Sequence, residues 1–175
     1  MKSAKKMALS GMMCALACVL MMMGGLIPLN TFVSPLLAGI ALIPLFVEYG
    51  GKAAVTAYAA IALLSLMLCP DKESAMLFAF LGHYPVLRWK LDQIRKKPLR
   101  IAAKLGVFNI CIGAMYAVLF FLLNMQALMA EYREMGMIMT LICLLMGNVC
   151  LLVYDRLIAM LTLLYIRKFR DKLIK

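Results

Sequence analysis

The sequence predicts an all-α polytopic membrane protein with six transmembrane helices and both termini on the cytoplasmic side, in a single domain over residues 1–175. Three observations predict it. Apolar residues make up 66% of the chain and charged ones only 15%, with a mean hydropathy of +0.96, far from the range of soluble domains. The apolar residues gather into stretches at roughly 7–29, 33–47, 53–69, 74–87, 102–124 and 136–154, of which two are short. The bases then sort by side. With the N-terminus inside, three Lys fall at the start, Lys52 at the second connection, seven Lys and Arg between Arg88 and Lys104, and six between Arg156 and Lys175. Only Lys72 and Arg133 fall outside, each between acidic neighbours. This is the positive-inside pattern at every loop, and dropping any one span would put a basic cluster on the wrong face.

The net charge of +11 needs no nucleic acid to explain it. The basic connection 88–104 and the basic tail 156–175 lie beside the membrane, where each Lys or Arg gains about 1 kcal/mol from anionic lipid head groups.

The first span reads as a retained helix rather than a signal peptide, because its apolar run continues to Pro28 without a clean small-residue cleavage site. Ala4, Ala8, Gly11, Ala15 and Cys18 are spaced four, three, four and three apart, so they share one helical face. In lipid, small residues let a second backbone approach closely, and such packing is a main source of helix association. The stripe serves either packing within the bundle or docking of a second membrane protein.

The connection at Ile27–Thr31 is uncharged and outside, with Asn30 and Thr31 placed to fold over a site as a lid or simply to turn the chain. The second span carries Pro35 and Pro44 near its ends with Gly39 between them, so it bends, and neighbours must satisfy the carbonyls that proline frees. The fourth span ends Gly82-His83-Tyr84-Pro85. His83 falls roughly mid-bilayer by helical rise and is a functional candidate on that ground, or it hydrogen-bonds backbone freed by Pro85. In the connection after it, Trp89, Leu91 and Ile94 interleave with bases, the pattern of a short helix in the head-group layer ended by Pro98.

On the fifth span Asn109, Gly113, Tyr116 and Phe120 share a face. On the sixth, Asn148 and Asp155 stand one heptad apart beside Gly147 and Tyr154. His83, Tyr116 and Asn148 come out at similar depth, as one polar layer between three spans. Glu48 and the Asp155-Arg156 pair read as interfacial, and a helix continues from Leu157 into the basic tail. The six cysteines lie in or at the ends of apolar spans with no C-x-x-C spacing, and read as buried, reduced packing residues. No phosphate-binding glycine loop, zinc-helix motif, nucleophile elbow or paired intramembrane carboxylate is present. No catalytic residue, metal site or cofactor is therefore expected.

The chain resembles the substrate-binding S components of bacterial energy-coupling factor (ECF) transporters. The resemblance covers essentially its whole length. It rests on the size, the six spans with both ends inside, and the opening Met7-Ala8-Leu9-Ser10-Gly11-Met12-Met13-Cys14-Ala15-Leu16, similar to that family's small-residue first helix. What the resemblance implies is a multi-pass subunit of the bacterial cytoplasmic membrane that captures a vitamin-like micronutrient without catalysis. It would associate with a transmembrane coupling protein and two cytoplasmic ATPases. Asn30 and Thr31 would then belong to the lid, His83, Tyr84, Tyr116 and Asn148 to the pocket, and Ala8, Gly11 and Ala15, with Ala4 and Cys18 on the same face, to the docking surface. The main alternative is a non-transporting scaffold resembling the rod-shape-determining MreD proteins. Such a scaffold would need the stripe and the basic loops but no cavity, and its polar residues would pair with each other. A membrane-embedded enzyme on lipid substrates would need clustered acids or histidines, which this chain lacks.

Overall fold

Three of the prolines start helices rather than bend them. Pro44, Pro85 and Pro98 each stand in a first helical turn, where the missing N–H would have had no partner in any case. The computed structural model describes residues 2–23, 30–122 and 126–169, and among these it is helical with no strand. The helices are α1 (Lys2–Met22), α2 (Asn30–Ile40), α3 (Ile43–Leu68), α4 (Lys72–Leu81), α5 (Tyr84–Leu91), α6 (Lys97–Ala117) and α7 (Gln126–Leu164). A π-helical turn, Val118–Leu122, prolongs α6, and another, Tyr165–Phe169, prolongs α7. Among the described residues three stretches are long and apolar enough to cross a membrane: Ile43–Leu68, Lys97–Phe121 and Glu134–Lys168. Lys6–Met22 and Thr31–Ile40 are shorter apolar helices.

The expected second helix is thus two pieces. α2 carries Pro35 inside it and stops at Ile40, and the chain turns through Ala41-Leu42 before Pro44 opens α3. A second break falls at Gly50, whose φ of +79° only glycine adopts freely, so α3 is two limbs, 43–49 and 51–68. Gly136 plays the same part in α7, with φ +72°. α4 is capped by Asp71, whose carboxylate accepts from the Glu73 and Ser74 amides at 3.0 and 3.3 Å. Lys72 reaches back to the Leu66 and Cys69 carbonyls and closes the end of α3. One of the two bases expected outside is therefore spent on a helix terminus.

The head-group helix expected over the 88–97 connection is shorter than its pattern. α5 ends at Leu91, and residues 92–96 turn into α6, with Trp89 exposed at 61%. The continuation of the last span past Leu157 is as expected over the described residues.

Packing organises around α4. α1 lies against α3 and α2, α2 against α4, and α4 against α3 and α6. One core joins Ala17 and Met21 of α1 to Ala38, Leu42, Ile61 and Phe78. A second joins Tyr84 to Phe108, Leu151, Tyr154 and Ile158, and a third, smaller one joins Met76 and Leu77 to Met115 and Leu119. α7 is the outlier, since only 6% of its most apolar stretch is buried and Met137 and Ile138 stand 81% and 78% exposed.

The helix ends group by chemistry. Lys6 sits over the Tyr49 ring, 5.7 Å from its centroid, at one end of the bundle. Cys18 and Met22 meet Leu64 and Cys69 at the other, so α1 and the second limb of α3 run side by side in the same direction.

Candidate functional site

The small-residue stripe of α1 faces outward. Ala4, Ala8, Gly11 and Ala15 are exposed, a Cβ placed on Gly11 would meet nothing within 4 Å, and only Cys18 is half-buried. The opposite side of the helix, with Ala17 and Met21, enters the core. Of the two uses open to the stripe, packing within its own bundle is the one the structure does not make of it.

The residues read as pocket candidates do not converge. His83 precedes α5 and lies edge-on to the Tyr58 ring, with centroids 5.8 Å apart. Near the α4–α5 break the Ala79 carbonyl is taken by another residue, the Tyr58 hydroxyl, which donates to it. Tyr116 donates to the Glu73 carboxylate at 2.7 Å. Asn148 exchanges two hydrogen bonds with Asn109, at 2.9 and 3.2 Å, and each side amide also donates to its own helix four residues back. Asn109 and Tyr116 are two turns apart on α6, about 10 Å along its axis. The single polar layer expected from His83, Tyr116 and Asn148 is therefore three separate contacts. Thr31 is half-buried in the first turn of α2. Asn30 begins that helix, and the rest of the expected lid, 27–29, lies outside the described residues.

Tyr84 leads instead to a group that the sequence reading passed over. Its hydroxyl donates to Asp155 Oδ1 at 2.9 Å. Asp155, read as interfacial, also accepts from Arg88 Nε at 2.7 Å and from Lys104 Nζ at 2.8 Å on both carboxylate oxygens. Lys104 Nζ is 2.6 Å from Asp92, and Arg88 Nη2 is 3.0 Å from the same carboxylate. Arg88, Asp155, Lys104 and Asp92 thus close a ring of alternating charge across α5, α6 and α7, with Arg100 Nε at its rim, 4.0 Å from Asp92.

The Lys104 side chain is only 5% exposed and that of Asp155 14%. Burial of this kind is tolerated because each ion has at least two opposite partners, so little charge is left uncompensated. A signal for Lys104 was present: Lys104, Phe108, Met115 and Leu119 are spaced four, seven and four apart and are the buried face of α6 and its extension. A lysine on an apolar stripe requires a carboxylate opposite it.

The two best-formed hollows among the described residues are small. One, between α1 and α3 beside Cys18 and Cys69, has no room for a water, and the other, beside Arg88 and Trp89, holds about 40 Å³. A site for a drug-sized ligand takes about 300–1,000 Å³. No three His, Cys, Asp or Glu side chains stand close enough to share a metal ion among the described residues. The cysteines are unpaired, and Cys143 and Cys150 are exposed on α7, which corrects the expectation that all six pack inside.

Comparison with protein-family models, curated proteins and solved structures gives no match.

Proposed function

We propose that this protein is the substrate-capture subunit of an ECF-type micronutrient uptake assembly in the bacterial cytoplasmic membrane, and that it works by docking its first helix on a coupling protein driven by two ATPases. The observation that carries the reading is the outward stripe. Four small residues on the lipid-facing side of a helix whose other side is already buried leave a backbone open to close approach by another membrane protein.

Six passes with both ends inside agree with the grouping of the helix ends. α2 with the first limb of α3, and α4 with α5, each run about 20 residues across their breaks, long enough for a 30 Å hydrocarbon layer. The ion ring, Lys6 and the Gly50 turn then share the basic side, with Asp71, Lys72 and Glu73 opposite. On this reading the pocket forms as the ligand binds. The stretch of α7 from Gly136 to Asn148 is held to the bundle mainly through the Asn109–Asn148 pair and Gly147 against Phe108, and is the element free to move, while Leu151, Tyr154, Asp155 and Ile158 anchor the rest of the helix.

A second reading, a non-transporting scaffold of the MreD kind, is favoured by one observation: the candidate pocket residues Tyr84, Tyr116 and Asn148 are each hydrogen-bonded inside the bundle. Purification in mild detergent with mass spectrometry of bound proteins and small molecules separates the two. A coupling protein with two ATPases, lost on Ala8→Trp or Gly11→Trp, is the expected result. Cell-wall or division proteins with neither ATPase nor ligand would overturn the transport reading in favour of the scaffold.

A further inference from the structure

The second hollow lies at the basic end of the bundle, where α3, α5 and α7 meet. It is lined by Ile43, Phe46, Pro85, Ile158 and Thr162, together with Arg88 and Trp89. Thr162 donates to the Ile158 carbonyl of its own helix, so the lining presents the cleft with little but hydrocarbon. A hollow of about 40 Å³ does not accept a helix, which is about 10 Å across with its side chains. An acyl chain is the thinner apolar object available in a bilayer.

The edge of the cleft is polar and positive. Arg88 gives Nε to Asp155 and Nη2 to Asp92, which leaves Nη1 without a partner among the described residues on a side chain still 19% exposed. Trp89 is held edge-on by Phe46, with centroids 6.2 Å apart and an interplanar angle of 62°, and its indole N–H makes no hydrogen bond among the described residues. The ion ring beside them is balanced in itself, and Arg100 at its rim makes the group net positive. Lys90 follows on α5 and is exposed. The Gly50–Lys52 turn reaches the same end, since a Cβ on Gly51 would stand 3.8 Å from both Phe46 and Val86.

We infer that this cleft binds one anionic phospholipid, with an acyl chain against Ile43, Phe46 and Ile158 and its phosphate taken by Arg88 Nη1 and the Trp89 indole N–H. Guanidinium and indole donors at head-group depth above an apolar slot match a phosphodiester above a hydrocarbon chain. A zwitterionic lipid offers the same chain but cancels the charge. The inference requires only that the chain lie in a bilayer, so it stands or falls apart from the transport reading.

Trp89 is the sole tryptophan, so its fluorescence reports this position alone. The full chain is reconstituted in phosphatidylcholine bilayers, and quenching of Trp89 by acyl-brominated phosphatidylglycerol is compared with quenching by acyl-brominated phosphatidylcholine at the same mole fractions. The expected result is a relative affinity for phosphatidylglycerol about fivefold higher, the gain of one favourable basic contact at the surface. Thr162→Phe, which fills the cleft from a lining residue that takes no part in the ion ring, is expected to bring that ratio close to one. Equal quenching by the two lipids in the native protein would overturn the site. A preference for phosphatidylglycerol that survives Thr162→Phe would also overturn it, because the charge alone would then be responsible.

Discussion

Replacing Lys104 with methionine removes one cation from the ion ring and keeps the length of the side chain. Asp155 keeps Arg88 and the Tyr84 hydroxyl, and Asp92 keeps Arg88 and, 4.0 Å away, Arg100, but Arg88 is then the one cation among the described residues within about 3 Å of either carboxylate, in a site where Lys104 was 5% and Asp155 14% exposed. Removing one partner of a buried pair costs about 3–5 kcal/mol. The lower end applies here, since Asp92 at 31% can regain water. Removing both partners is a different perturbation. In Lys104→Met with Asp155→Asn, Arg88 and Asp92 still neutralise each other, no buried ion is left alone, and the total cost is expected to stay within about 2 kcal/mol. The double variant should therefore be more stable than Lys104→Met alone, a coupling opposite in sign to additivity. Unfolding in mixed micelles at increasing dodecyl sulfate fraction, followed by Trp89 emission, measures Lys104→Met, Asp155→Asn and the double variant. A loss below about 1 kcal/mol for Lys104→Met, the value of an exposed pair, would refute the reasoning, as would a double variant whose cost is the sum of the singles.

Gly39→Ala places a Cβ 2.7 Å from the Tyr154 hydroxyl, which itself donates to the Leu36 carbonyl at 3.0 Å. The expected loss is about 1–3 kcal/mol in thermal unfolding, and most of it should vanish in a Tyr154→Phe background, where the obstructing oxygen is gone. A double-mutant cycle of Asn109→Leu and Asn148→Leu is expected to return a coupling of about 0.6–1.7 kcal/mol, the range for interhelical hydrogen bonds in lipid, and a zero coupling would show that this pair does not hold α7 to α6. Lys72→Met removes two donors from the end of α3 and is expected to cost about 1 kcal/mol, with faster hydrogen exchange confined to the last turn of that helix. Gly11→Trp, by contrast, should leave the melting temperature of the purified subunit unchanged, because its side chain enters open space.

Composition and periodicity were enough to determine the all-helical class, the outer positions of the apolar stretches and the existence of a single-faced stripe of small residues on α1. These are properties of hydrophobic content, helical period and charge sign, which local sequence carries without reference to any neighbour. Breaks were legible as residue types but not as geometry. Pro35 and Pro44 mark one bent span in the sequence, whereas the fold places the discontinuity between α2 and α3 and adds a turn at Gly50 that a Gly-Gly-Lys connection only hints at.

The partners of the polar residues were decided by tertiary structure alone. Helical period says that Tyr116, Asn148 and Asp155 face inward, but which helix each one meets depends on the rotation and axial offset of whole helices. Those variables are set by packing over dozens of residues rather than by the residue itself. So Tyr84 and Asp155, 71 positions apart, meet directly, Asp155 joins Lys104 and Arg88 in a ring that no local pattern contains, and Tyr116 turns to Glu73 rather than to His83. The direction of the α1 stripe has the same origin. Its spacing establishes that the small residues share a face, and only the seating of Ala17 and Met21 in the core turns that face toward the lipid.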